Sequence, residues 1–202
     1  MFAATYDGQF TMMERGGLAR MREELLQEVQ GRTLEIGAGT GLNLEHYPVE
    51  GVDLVLTEPE EPMARRLERK AAAARPNQAR VVRATADNLP FEADEFDYVV
   101  STLVLCTVPD QAKALAEIQR VLKPSGRFLF MEHVRSQTPR LARWQDRLQP
   151  LWFRFAYGCH CNVDTLPVIE AGGFSVERLQ KGDIPRALPI MRPVVTGQAV
   201  LA

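Results

Sequence analysis

Glycines at 37, 39 and 41 stand in the run LEIGAGTG, with the carboxylate of Glu35 just before the first of them. Glycine lets a backbone take conformations and approach distances that a Cβ blocks, and a helix opening behind such a turn offers unpaired N–H donors. That combination receives phosphate in dinucleotide enzymes, and it equally packs against a ribose and a charged amino-acid tail. Glu35 would repel a diphosphate and attract an ammonium group. No Lys-Ser or Lys-Thr follows Gly41, so the phosphate-gripping pair of a nucleotide hydrolase is missing. Glu58 closes the apolar run 52–57, where two adjacent ribose hydroxyls can share its oxygens. Asp87 lies in ADNLPF; an aspartate there commonly serves only the turn. Beside the glycines and Glu58 it reads as an acceptor for an exocyclic adenine amine, with Leu89 or Phe91 against the ring. The expected ligand is an adenosine-containing cofactor.

These residues need elements to hold them. Strands are expected at 32–36, 52–57, 81–84, 97–103 and 127–133, the fourth largely apolar, and helices at 63–74 and 111–122, the second capped by Asp110. A further helix is expected to open directly behind the glycine turn. Residues 11–29 carry helical spacing with a break at Gly16-Gly17. After Val134, residues 139–155 look helical with an interruption at Pro150, with Trp144, Leu148, Trp152 and neighbouring leucines facing inward. A short helix at 164–171 and strands at 174–180 and 194–201 complete the order. The strand-then-helix rhythm predicts a parallel sheet with helices on both faces.

Composition narrows the class. The chain has 202 residues, 46% hydrophobic and 25% charged, as in one ordinary globular domain. Its 24 basic and 26 acidic side chains give a net charge of -2, so nothing global attracts nucleic acid. The longest apolar stretches fall far short of the roughly 18–20 residues that cross a bilayer. The start, MFAATYDGQF, has no basic segment followed by an apolar one, so neither a signal peptide nor a membrane anchor is expected. Cysteines at 106, 159 and 161 are expected to be free thiols, in keeping with a cytoplasmic protein.

With these segments in order, the chain resembles the class I S-adenosylmethionine-dependent methyltransferases. LEIGAGTG, VLTEP at 55–59, ADNLPF at 86–91, FDYVVSTLVLCTVPD at 96–110 and RVLKPSGRFLFMEHV at 120–134 carry the resemblance. It implies an α/β, Rossmann-like methyltransferase fold: a central, mostly parallel seven-stranded sheet, helices on both faces and an antiparallel C-terminal strand. Residues 1–202 would form one domain, with 135–165 as a substrate-side insert. S-adenosyl-L-methionine would be the cofactor. Glu35, Gly37, Ala38, Gly39, Thr40 and Gly41 would surround its methionine and ribose; Glu58 and Pro59 would take the ribose; Ala86, Asp87, Asn88 and Leu89 the adenine; and Ser101, Thr102 and Leu103 the methyl side. LVLCTV, MEHV, LQPLWFRFAYGCHCNVDT and IEAGGF look more narrowly like the methyltransferase-like protein 7 group, whose members are associated with alkyl-thiol methylation and with lipid membranes.

A sulfonium methyl group is already electrophilic, so the protein's expected tasks are to align a nucleophile for in-line displacement and to exclude water. The acceptor is expected to be a small, partly apolar molecule, a thiol before an oxygen or nitrogen nucleophile. His133 and His160 are the candidate proton acceptors. Cys159-His160-Cys161 supplies three consecutive candidate ligands without a second cluster at the usual separation, so no metal is expected. Cys106 reads as a small buried apolar residue. Arginines 135, 140, 143, 147 and 154 against Asp146 read as a solvated face that can also attract an anionic substrate or a lipid headgroup peripherally. A nicotinamide oxidoreductase fits the residue before the glycine turn and the adenine-side pattern less well, and a noncatalytic cofactor-binding protein is the remaining alternative.

Overall fold

A computed structural model of the chain describes residue 8, residues 10–156 and residues 158–202. Residues 1–7 and 9, on which the expectation about a signal peptide or anchor rests, lie outside the described residues. No helix among the described residues is long and apolar enough to cross a membrane.

The apolar runs form β1 (Gly31–Ile36), β2 (Val52–Thr57), β3 (Ala79–Val82), β4 (Phe96–Thr102) and β5 (Leu122–His133), paired in parallel. β7 (Pro193–Leu201) runs antiparallel to β5 on one side and to β6 (Phe174–Asp183) on the other. The order is β3-β2-β1-β4-β5-β7-β6, the seven-stranded, mostly parallel sheet that the resemblance implies, with β7 reversed. β5 begins earlier than expected, at Leu122, and absorbs Pro124-Ser125-Gly126 as an irregularity where its register against β4 shifts between Phe96 and Tyr98.

Helices α1 (Ala19–Leu26), α2 (Glu61–Ala74), α3 (Gln111–Val121), α4 (Pro139–Phe155) and α5 (Thr165–Ala171) flank the sheet. Pro62 occupies the first turn of α2, where no intrahelical N–H bond is lost. The Asp110 carboxylate accepts from the Lys113 N–H at 3.0 Å and caps α3. Alternation along the strands builds a core on each face. Leu34, Val99 and Phe128 pack with Leu115 and Ile118 of α3 on one side; Leu54, Val100 and Leu129 pack with Leu67 and Ala71 of α2 on the other.

Three expectations are corrected. No helix follows the glycine turn: residues 39–46 wind through successive turns, closed by Gly41 N–H to Ala38 O (2.9 Å) and His46 N–H to Asn43 O (2.9 Å). Pro150 does not interrupt α4, because it sits on an exposed part of the helix where water can take the carbonyl that loses its N–H partner. Trp144 does not face inward; it is 51% exposed, and the buried stripe of α4 is set by Ala142 and Gln145. The break at Gly16-Gly17 is present as a π-helical turn, Glu14–Leu18, with Gly17 at φ 135 before α1 begins.

The sheet is tight where β7 is inserted. A Cβ on Gly197 would stand 2.5 Å from Phe130 Cζ and 2.6 Å from the Arg178 carbonyl oxygen. Gly197→Ala is therefore expected to lower stability by about 1–3 kcal/mol, as for other overpacked sites. The check is the denaturant midpoint at unchanged slope; a midpoint equal to that of the unaltered protein would mean that β5 and β6 yield without cost.

Candidate functional site

The C-terminal ends of β1 to β5 lie along one edge of the sheet, and chain order reverses between β1 and β4. Open α/β sheets bind ligands in the crevice at such a switch point. A cavity of about 680 Å³ occupies it. On the β1–β3 side Gly37, Gly39, Glu58, Pro59, Ala86 and Asp87 line the wall; on the β4–β5 side Leu103, Cys106, His133, Trp152 and Cys159 do so. Phe10, Met13, Phe155, Leu188 and Met191 complete the enclosure.

The glycine turn is shaped by close approach. Gly37 has φ 55, and a Cβ on it would stand 2.7 Å from Val104 Cγ1. The Ala38 N–H donates to the Thr57 carbonyl at 2.8 Å and ties the turn to the end of β2. Glu58 accepts from the Gly39 N–H at 2.9 Å and from the Glu60 N–H at 3.0 Å. Burial raises its pKa, against the pull of those two N–H groups. Asp87 is half-buried in the short turn between Thr85 and Asn88.

The remaining expected cofactor residues stand behind this wall rather than in it. Glu35, Thr40 and Ser101 are buried, Ala38 and Gly41 form the underside of the turn, and Asn88 is exposed. Leu89 packs into the core, and its N–H donates to Glu117 at 2.8 Å. Glu35 accepts from Asn43 Nδ2 (2.9 Å) and from the Tyr47 hydroxyl (2.8 Å). Asn43 also accepts from Arg22 Nη1 (2.7 Å) and donates to Thr102 Oγ1 (2.9 Å). Arg22 reaches on to Glu14 at 3.1 Å, so α1 and the π-helical turn are bound to the floor of the glycine turn. Nothing in the sequence pairs Arg22, Asn43 and Tyr47 with Glu35; only the turns of residues 39–46 bring them together.

Glu132 is a residue that sequence reasoning did not single out. It is wholly buried near the end of β5, and one carboxylate oxygen accepts from Ser101 Oγ (2.7 Å), Val104 N–H (3.1 Å) and Leu105 N–H (3.2 Å). Burial raises its pKa against those three donors. The loop that it holds contains Leu103 at φ 60, a conformation that costs a side-chain-bearing residue energy and persists only where surroundings enforce it.

Of the two candidate histidines, His133 borders the cavity and His160 does not. His133 Nε2 lies 2.8 Å from Cys159 Sγ, and the Cys159 and Cys106 sulfurs are 3.7 Å apart. Burial opposes the His133 imidazolium, but Cys159 and Glu132 outweigh it and raise the pKa of the ring. Cys106 and His133 together lower the Cys159 thiol, while that pairing and burial raise Cys106. His160 instead meets Gln149 Nε2 through Nδ1 (2.9 Å) and packs on Phe153. Among the described residues all three cysteines are buried free thiols.

The β1–β3 side fits an adenosine cofactor that carries an amino acid. Two glycines leave the turn bare, Glu58 presents a carboxylate, and the turn holds no lysine or arginine to meet a phosphate. The methyltransferase domain family matches residues 34–130. Thiol S-methyltransferase TMT1A of Homo sapiens is 35% identical over 203 aligned positions, covering 95% of this chain and 83% of that protein. This chain belongs to the S-adenosylmethionine-dependent methyltransferases. Thiol S-methyltransferase TMT1B of Rattus norvegicus is 38% identical over 171 residues, 83% of this chain and 69% of that one. A solved methyltransferase from Thermotoga maritima, described as a possible histamine N-methyltransferase, superposes with a TM-score of 0.72. It covers 100% of this chain and 98% of its own at 20% identity, a likeness of fold. The methyltransferase uses S-adenosylmethionine as its methyl donor.

Burial raises the Glu35 pKa to about 7, against hydrogen bonds from Tyr47 and Asn43 and the charge of Arg22. Between about pH 4.5 and 7 the folded methyltransferase thus holds a proton there that the unfolded chain has released. Its stabilising contribution is complete below about pH 4.5 and is lost as pH rises toward 7, on the order of 3 kcal/mol in all. Glu58 and Glu132 share the direction, so the diagnostic is a difference. Glu35→Gln is expected to flatten the fall in unfolding free energy between pH 5 and 7 relative to the unaltered protein; parallel pH curves would show that Glu35 is ionised throughout.

Proposed function

We propose that this methyltransferase methylates the sulfur of a small, partly apolar thiol, with residues 135–165 covering the acceptor side of the cavity. The supporting observation is the chemistry of the β4–β5 side. Leu103, Val104, Cys106, Val108, Trp152 and Cys159 line it, His133 is its titratable ring, and it carries no carboxylate among the described residues. An amine arriving as an ammonium ion would find no counter-charge there, whereas a neutral thiol, or the thiolate it yields, is accommodated. The relatives that bear the name thiol S-methyltransferase point the same way.

S-adenosylmethionine bound on the β1–β3 side would supply an electrophilic methyl group carried on a sulfonium. Glu58 would hold the ribose hydroxyls and Asp87 the adenine amine, while the bare backbone of Gly37 and Gly39 admits the methionyl portion. The apolar wall excludes water, the abundant competing nucleophile. His133, rather than His160, borders the acceptor side, so its loss is the one expected to affect turnover.

Asp87→Ala is expected to weaken S-adenosylhomocysteine binding about tenfold, the scale of one hydrogen bond to a charged group; calorimetry that finds the affinity unchanged would remove Asp87 from the adenine site. Matched thiol, phenol and amine acceptors, followed through S-adenosylhomocysteine release, should rank with the thiol first, and His133→Ala should cost far more kcat than His160→Ala. Robust phenol turnover without thiol turnover would sink the thiol assignment.

A further inference from the structure

Three side chains remote in sequence converge at the acceptor side. Cys106 lies in the loop after β4, His133 ends β5, and Cys159 follows α4. Their ligating atoms all lie within 4.8 Å of one another, and all three side chains are buried. We propose that Cys106, His133 and Cys159 form a three-ligand site for a thiophilic divalent ion such as zinc, its open fourth position facing the cavity and receiving the acceptor's sulfur. The last part rests on the thiol reading above; the ion site does not.

The geometry is close to what such an ion requires. Metal–sulfur bonds of about 2.3 Å at tetrahedral angles set a sulfur–sulfur edge of about 3.8 Å, and the Cys106 and Cys159 sulfurs stand 3.7 Å apart. The corresponding sulfur–nitrogen edge is about 3.5 Å. His133 Nε2, now 2.8 Å from Cys159 Sγ, has to draw back by less than an ångström. Two thiolates and an imidazole are strong ligands for a borderline-soft ion. Three protein ligands with a fourth position open is the pattern of catalytic rather than structural zinc.

The backbone is braced for the task. The His160 N–H donates to the Cys106 carbonyl at 2.8 Å, which links the two cysteine loops, and Glu132 holds Val104 and Leu105 on the other flank. Binding of the acceptor is a proton release without redox change. The thiol S–H bond breaks, its electron pair stays on sulfur and forms the sulfur–metal bond, and the proton passes to water. An ion used in this way prepares the nucleophile and does not touch the methyl group.

Chelator-stripped protein titrated with Co²⁺ tests this without turnover. About one equivalent should bind, with a thiolate-to-cobalt charge-transfer band and d–d absorption of tetrahedral strength. A small alkanethiol should then shift the d–d band. Cys106→Ser and Cys159→Ser, checked for folding by circular dichroism, should weaken Co²⁺ at least tenfold, and Cys161→Ser should not. Absence of the charge-transfer band, its survival in both serine variants, or indifference of the spectrum to the thiol would overturn the proposal. An intact, thiol-sensitive cobalt band in a protein that methylates phenols and no thiols would count against the acceptor assignment while upholding the site, so the two failures are distinguishable.

Discussion

A single buried carboxylate sets the geometry on which the acceptor side depends. Glu132 has no solvent contact, and leaving such a group without donors costs several kcal/mol. It is supplied by Ser101 on β4 and by the N–H groups of Val104 and Leu105. Those three bonds fix how the chain leaves β4. They account for the left-handed backbone at Leu103, since the loop must fold back to deliver two N–H groups to one oxygen. The same fold-back presses Val104 onto Gly37, so the glycine turn and the Glu132 loop share one contact surface. Replacing either partner disturbs both walls of the cavity.

A second buried carboxylate does the matching task from below. Glu35 collects Asn43, Tyr47 and, through Asn43, Arg22, and so fastens the N-terminal segment to the floor of the glycine turn. Phe10 and Met13 of that segment enter the cavity wall. The cavity is therefore enclosed by pieces distant in sequence, two of which, the loop after β4 and the N-terminal segment, are tied to strand ends by a hydrogen-bonded acid. Hydrogen bonds in such low-dielectric surroundings are costly to break, which favours this arrangement of the chain around the two acids.

The sheet was legible in the sequence because strand signals are local. Largely apolar stretches such as 97–103 need only their own residues to declare a buried parallel strand. The segment after the glycine turn misled for the converse reason. Its leucines and polar residues suit a helix, but Gly41 at φ 83 and the bonds of Asn43 and Tyr47 to Glu35 bend it into turns. Trp144 misled similarly, since helical spacing fixes a stripe but not which stripe is buried. Glu58 could be expected at the cavity because it follows β2 directly, and Asp87 because it lies in the short connection after β3. The meeting of Cys106, His133 and Cys159 has no local signal, as it depends on α4 returning the chain to the end of β5.

The division of labour within the chain follows from where the walls come from. The stretch shared with the methyltransferase domain family, residues 34–130, contains the glycine turn, Glu58, Asp87 and the Glu132-bound loop. His133, Trp152, Cys159 and Leu188 all lie beyond it, and Phe10 and Met13 precede it. A superposition at 20% identity can thus carry the sheet without carrying the part of the acceptor wall that lies outside this stretch. Thiol S-methyltransferase TMT1A, at 35% identity, is aligned over 95% of this chain and so reaches well beyond that stretch. Any account of what receives the methyl group has to be argued from the loop after β4 together with the outer segments, because the sheet and its glycine turn would serve any acceptor equally.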